Sequence, residues 1–166
     1  MPRSSDRLPF LALAAVLLGA ACGGSDTAPP KPADAAATPA AAAGSDLTPF
    51  QLENGIGPVT EAISLGPIDK EMAEHGKELF DAKCGACHKM TDKYVGPPLG
   101  EVTVRRTPAF IMNQVLDPEG MYAKHPVVKQ LLAEYMTQMP NLGLTKEQAR
   151  QLVEYLRTQA PSKTAP

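Results

Sequence analysis

Residues 84 to 88 read CGACH, which places two thiols and an imidazole within five positions. Two cysteines at this spacing admit a structural zinc clip, a redox dithiol or a short disulfide. With a histidine directly behind the second cysteine they also admit covalent attachment of haem. A structural zinc ion takes four ligands, and outside the motif the chain offers only His75, His125 and Cys22. A redox dithiol opens a helix after a strand in a βαβ setting, whereas a helical pattern precedes CGACH. A disulfide across two intervening residues closes too short a loop to stabilise much. Haem attachment is the reading that remains best supported. Cys84 and Cys87 reach the two vinyl groups along one side of the porphyrin, and His88 turns its ring toward the iron. That chemistry asks for export from the cytoplasm, protein on both faces of a flat ring and a second iron ligand.

The N-terminus fits export. Arg3 and Arg7 precede an apolar run from Leu8 to Ala21, followed by small residues around Cys22. The run is shorter than the roughly 20 residues of an ordinary membrane span. It resembles a bacterial lipoprotein signal, in which the cysteine after small residues is lipidated and becomes the first mature residue. Ala20 and Ala21 match that pattern; Gly19 stands where a Leu is usual, with Leu18 one place further back. The alternative is a cleaved signal with a spare cysteine. Within the lipoprotein family Gly23, in place of an Asp after the cysteine, points to the outer membrane rather than the inner. Removing residues 1–21 takes away two arginines and one aspartate, which moves the formal charge from −2 to −3. No long basic run offers a nucleic-acid footprint, and 166 residues suit one domain with extensions.

Residues 22–46 are rich in Ala and Pro and lack the large apolar side chains needed to offset the entropy of ordering, so a disordered, semi-extended tether is expected there. Residues 47–68 regain apolar side chains between frequent Gly and Pro and read as a loop-rich lead-in lying against the domain; more linker is the plainer alternative. The domain proper is expected over 69–160, with a short tail at 161–166. Asp69 can cap a helix to Lys83 with Met72, Ala73, Gly76, Leu79 and Phe80 on one face. Thr107 followed by Pro108 starts a second, which Asp117 and Pro118 stop. A third runs from Pro126 with Val128, Leu131, Leu132 and Tyr135 facing inward. The fourth starts at Thr145, where Gln148 completes a capping-box pattern, and presents Ala149, Leu152, Val153 and Leu156. Strand alternation is missing, so the fold class is all-α with about four helices and long connections.

Residues 69 to 159 resemble a class I cytochrome c with one covalently bound haem. In that family a Gly, an aromatic and the first haem cysteine follow at intervals of four; here they are Gly76, Phe80 and Cys84. A Leu and an aromatic of the last helix pack across that Gly, and Leu152 and Tyr155 match. The resemblance further implies that Pro97, within VGPPLG, accepts a hydrogen bond from the His88 ring through its carbonyl.

The distal ligand must come from chain that has passed round the porphyrin. Met90 is too near, since two residues span at most roughly 7 Å. Met112 and Met121 suit core or loop packing, and Met136 falls at a helix end. Met139, followed by Pro140, matches the family's Met-Pro ligand position; Met136 and His125 are the alternatives. His75 reads as a surface residue.

A His/Met pair fills both axial positions and favours electron transfer over substrate chemistry. The expectation is therefore an electron carrier with no small-molecule substrate and not an enzyme, periplasmic and membrane-anchored. A quinol-oxidising complex would be its donor and a terminal reductase or oxidase its acceptor. Similarity of RRTPAFIMNQVLDPEGM and ENGIGPV to cytochromes of anaerobic respiratory chains adds nitrous oxide reductase to the acceptors. The alternatives are a haem peroxidase or oxidase subunit, or a haem-based sensor, each with a displaceable sixth ligand. Between Lys83 and Arg106, five basic residues stand against Asp92 and Glu101, a local balance of plus 3 suited to an acidic partner or to a solvated face with one Arg near a propionate.

Overall fold

The structure, a computed structural model, describes residues 46–161, which fall within one compact unit. The export signal, Cys22 and nearly all of the tether lie outside the described residues. Among those residues there are seven α-helical segments, one π-helical turn and no strand, so the all-α expectation holds.

The four predicted helices are α2 (Lys70–Leu79), α4 (Pro108–Leu116), α6 (Pro126–Tyr135) and α7 (Lys146–Gln159). Each of α2, α4 and α7 begins on a side chain that satisfies an otherwise orphaned backbone N–H. Asp69 accepts from Met72 N at 3.0 Å, Thr107 from Phe110 N at 3.1 Å and Thr145 from Gln148 N at 3.1 Å. Gln148 returns the contact by accepting from Thr145 N at 3.0 Å, which completes the capping box.

Helix α2 and α7 form the central crossing. Gly76 is buried there because a Cβ on it would lie 2.6 Å from the Gln151 carbonyl carbon and 2.9 Å from Tyr155 Cβ. One turn on, the Phe80 and Tyr155 rings pack with centroids 5.3 Å apart. Around them Ala109, Ile111, Met112, Ala149, Leu152, Val153 and Leu156 complete the main core. On the opposite side of α7, Glu154 is fully buried, paired with both Arg150 and Arg157, and accepts from Asp69 N at 3.3 Å.

Three short helices were not predicted. The pair Asp117–Pro118 ends α4, as expected, yet it also starts α5 (Pro118–Lys124). The Asp117 carboxylate accepts from Gly120 N at 3.0 Å and Pro118 takes the first helical position, the same device that opens α4. The others are α3 (Val102–Arg105) and α1 (Pro49–Asn54), the latter opened by a Thr48–Gln51 capping box within the lead-in. Helix α6 is more peripheral than its pattern suggests: of its predicted inward face only Val128 is buried, with Leu131, Leu132 and Tyr135 half-buried.

The lead-in is bound tightly to the domain. Asn113, fully buried on α4, donates through Nδ2 to the carbonyls of Asn54 at 3.0 Å and Val59 at 2.9 Å, and its Oδ1 accepts from Val59 N at 2.9 Å. His125, 1% exposed between α5 and α6, donates through Nε2 to the Leu52 carbonyl at 3.1 Å. Gly66 O accepts from Arg157 at 2.6 Å. Residues 52–66 are thereby strapped across α4 and α7, with buried side chains satisfying backbone groups that a loop would otherwise turn to water.

Candidate functional site

The chain that carries CGACH leaves α2 through an unusual turn. The sequence predicts helix to Lys83, but after Leu79 the backbone widens into a π-helical turn over Phe80–Cys84, closed by Gly85 N donating to Phe80 O at 2.8 Å. The wider turn lets Phe80 and Cys84 both face the core, 6% and 7% exposed. Single π turns of this kind recur at functional sites. Cys87 N and His88 N then both donate to Cys84 O, at 3.0 and 2.9 Å, curling the motif into one compact turn with both thiols free.

His88 is held from across a narrow backbone pairing. Gly96 N donates to Cys87 O, Leu99 N to Lys89 O and Gly100 N to Met90 O, each at 2.9 Å. This sets the Pro97 carbonyl 2.9 Å from His88 Nδ1. A carbonyl only accepts, so Nδ1 carries a proton, and in the neutral ring Nε2 is then the nitrogen with the free lone pair. Gly96 supplies the seat: a Cβ there would overlap the imidazole, 2.8 Å from Nδ1 and 3.1 Å from Nε2.

Burial pushes the Cys84 thiol above its ordinary pKa, with Cys87 adding to the rise and Lys83 opposing it. A dithiol oxidoreductase needs the reverse, a thiol with a depressed pKa. Among the described residues no three His, Cys, Asp or Glu side chains gather into a cluster that could hold a metal ion, so the thiols have no partners to complete a zinc tetrahedron.

Met139 is half-buried on the loop between α6 and α7, with its sulfur 3.9 Å from Gln114 Nε2 on α4. The alternatives to it are placed differently. Met136 is 83% exposed in a left-handed conformation at the end of α6, and the His125 Nε2 is occupied by Leu52. Met112 and Met121 are buried in the two core clusters, and His75 is exposed beside Glu78 at 3.7 Å. Cys84, Cys87, His88 and Pro97 thus form one unit, while Met139 belongs to a second unit with Gln114.

The basic stretch is partly neutralised. Lys93 pairs with Glu134 at 3.1 Å and lies over the Tyr135 ring, and Arg105 pairs with Glu101 at 3.4 Å. Lys89 is spent on Gly85 O at 2.7 Å and the Tyr94 ring.

Residues 73–160 match the family model described as cytochrome c. The chain belongs to the cytochrome c family. The class I pattern of Gly76, Phe80, Cys84, Leu152 and Tyr155 is realised in its α2–α7 crossing, and membership brings covalently bound haem c and an electron-carrier role. Among solved structures the cytochrome c fold here is similar to cytochrome c from Rhodothermus marinus, at 47% identity over 68% of this chain and 97% of that one, with a TM-score of 0.64. It is also similar to an engineered form of that protein bound to a carbene intermediate, at 46% identity over 68% and 98%, with a TM-score of 0.61. A cytochrome c-553-like protein of Synechocystis sp. is 36% identical over 59 residues, which span 35% of this chain and about half, 52%, of that relative.

The residues present fit such a group. A buried thiol with no low-pKa role, a second thiol one turn on, and an imidazole with its Nε2 bare and its ring seated on glycine are what covalent attachment with histidine ligation requires. Gln114 and Asn113 escaped the sequence reading as site or support residues, and His125, an alternative ligand there, instead supports the lead-in through the Leu52 carbonyl. The available signal was a polar residue at 113 and 114 inside the apolar run from Ala109 to Leu116.

Proposed function

We propose that the chain carries one haem c through Cys84 and Cys87, with His88 and Met139 as axial ligands, and passes single electrons between extracytoplasmic partners. The observation that carries this reading is the Nδ1 contact of His88 with Pro97 O at 2.9 Å, which fixes the tautomer that leaves Nε2 basic. A single C-x-x-C-H motif in the sequence supports one haem. When bound, the haem supplies a one-electron iron couple. The chain's own part is to hold its ligands unchanged in both oxidation states. Pro97 orients His88, the α2–α7 core fixes Cys84, and the loop before α7 carries Met139. With His88 and Met139 both holding the iron, no position would be left there for a small-molecule substrate.

Lipidation of Cys22, supported by the signal-like run before it, would tether the protein outside the cytoplasm, with the outer membrane favoured by Gly23. Its donor on this reading is a quinol-oxidising complex and its acceptor a terminal reductase or oxidase, nitrous oxide reductase among them. Docking to an acidic partner is supported by the residual positive charge between Lys83 and Arg106, beside the exposed Tyr94 and Val95. Such docking makes association rates fall with ionic strength.

The absorption spectrum of the oxidised, matured protein tests the ligand set. A low-spin haem with a sulfur-to-iron charge-transfer band in the far red is expected, and Met139→Ala should remove the band. A high-spin resting spectrum would overturn the carrier reading in favour of a peroxidase or sensor with an open sixth position.

A further inference from the structure

We propose that His125 is a pH-sensitive latch on the lead-in: when its ring takes up a second proton, residues 48–60 lift off α4 and α5 while the α2–α7 core stays folded. In the closed state Nε2 donates to the Leu52 carbonyl at 3.1 Å, so the neutral ring keeps its lone pair on Nδ1. That nitrogen is buried and has no hydrogen-bond partner among the described residues. The ring is 1% exposed and stands edge-on to Phe110, with centroids 5.1 Å apart. A proton on Nδ1 would put a full charge and an unmet donor into this dry site. The surrounding charges oppose it further. Arg106 lies over the same Phe110 ring at 5.2 Å, and its charge acts against a charged imidazole. No carboxylate answers it. Helix α4 has no ionisable residue, Glu53 on α1 and Glu119 on α5 are exposed, and Asp117 is committed to Gly120 N. Lys124 and Lys129, on the two helices that His125 joins, are exposed too, and Tyr122 is held above the ordinary tyrosine range and stays neutral. The ring can therefore gain its proton only by leaving the site.

The segment that it holds is separable from the rest. Ile56 packs on the smaller cluster of Phe110, Met121 and Val128, apart from the α2–α7 crossing. Its N–H donates to the Met121 sulfur at 3.0 Å, and the Glu53 carbonyl accepts from Thr107 at 3.4 Å. Gly55, at φ +80°, gives the turn between these contacts. Further along, the Arg157 bond to the Gly66 carbonyl keeps the later lead-in on α7, so the freed part ends before it. An opened ring has the ordinary histidine pKa of about 6.5, whereas the closed one lies lower. Opening is thus favoured by about tenfold for each pH unit below 6.5, until the closed ring itself begins to titrate. If Cys22 is the membrane anchor, release of residues 48–60 adds up to about 45 Å of chain to the tether. Acidification would then extend the reach of the domain. That consequence rests on the tethered reading; the latch does not.

Amide hydrogen exchange on the haem-loaded full chain, followed by NMR from pH 7.5 to 5 and corrected for intrinsic rates, tests the latch without reference to the anchor. Protection of the Ile56 and Val59 amides should fall about tenfold per pH unit below 6.5, while amides of α2 and α7 keep theirs. In His125→Gln, whose carboxamide can still donate to Leu52 but does not titrate, the dependence should vanish. Protection at Ile56 and Val59 that ignores pH would overturn the proposal, as would a fall shared equally by α2 and α7 or one that persists in His125→Gln. Should that variant fail to fold, the wild-type ring resonances decide. A His125 ring that is still neutral where Val59 protection has begun to fall supports the latch. A ring that titrates in place while protection holds overturns it.

Discussion

Gly76→Ala is a substitution for which local and tertiary physics give opposite signs. Gly76 lies inside α2, where replacing glycine by alanine favours the helix by about 1 kcal/mol. The new methyl, however, would lie 2.6 Å from the Gln151 carbonyl carbon and 2.9 Å from Tyr155 Cβ. Normal contact between such atoms is about 3.5 Å or more. The nearest obstacle is backbone of α7 and cannot rotate away, so the two helices must separate by about 1 Å. Overpacking of this kind costs about 1–3 kcal/mol, and separation also loosens the Phe80–Tyr155 pair, 5.3 Å apart, worth about 1 kcal/mol beyond its buried area. Set against the helix gain, the net expectation is a loss of roughly 2 kcal/mol, or about 8–16 °C in melting temperature for a domain near 100 residues. Thermal unfolding followed by helical circular dichroism measures it. Gly66→Ala is the control, because a Cβ at Gly66 meets nothing within 4 Å and should leave stability nearly unchanged. A Gly76→Ala protein as stable as wild type, or more so, would refute the claim that glycine is required for the crossing.

Three further outcomes are expected. Asn113→Ala removes three buried hydrogen bonds and should cost roughly 3 kcal/mol, at about 1 kcal/mol each; limited proteolysis within residues 52–60 should accelerate at the same time. Burial holds His125 below the ordinary histidine pKa, the Arg106 charge acting the same way and the Leu52 carbonyl opposing. The unfolded chain therefore takes up this proton first, so stability should fall as pH drops below about 6.5 toward the lowered folded value; His125→Gln should show a shallower dependence in urea titrations at several pH values. Gly96→Ala would push the methyl into the His88 ring and break its contact with Pro97. Its haem-loaded form should show a mixed-spin spectrum where wild type is low-spin.

The sequence carries those parts of the fold that rest on local chemistry. Asp69, Thr107 and Thr145 mark helix starts because a capping side chain and the first-turn donors sit within three residues of each other. Gly76 is legible because its spacing to Phe80 and Cys84 repeats a family pattern. What escaped depends on distant partners. The starts of α5 and α1 are the exceptions, local caps at Asp117 and Thr48 hidden behind the stop signal of α4 and the Gly and Pro of the lead-in. The π turn after Leu79 differs from an α turn by one residue of register, and that choice is made by the core that draws in both Phe80 and Cys84. Asn113 and His125 are polar residues whose burial makes sense only once the carbonyls of Leu52, Asn54 and Val59 lie across them. The attachment motif is legible for the opposite reason, since Cys84, Cys87 and His88 are adjacent in the chain. Met139 is separated from them by about 50 residues of connection, so its place rests on the Met-Pro resemblance.

Iron-edge X-ray absorption of the oxidised, haem-loaded protein addresses the ligand set without reference to spectra of other proteins. One sulfur and five nitrogens in the first shell are expected, with the sulfur absent after Met139→Ala and retained after Met136→Ala. A first shell with no sulfur, or a sulfur that survives Met139→Ala, would contradict the account.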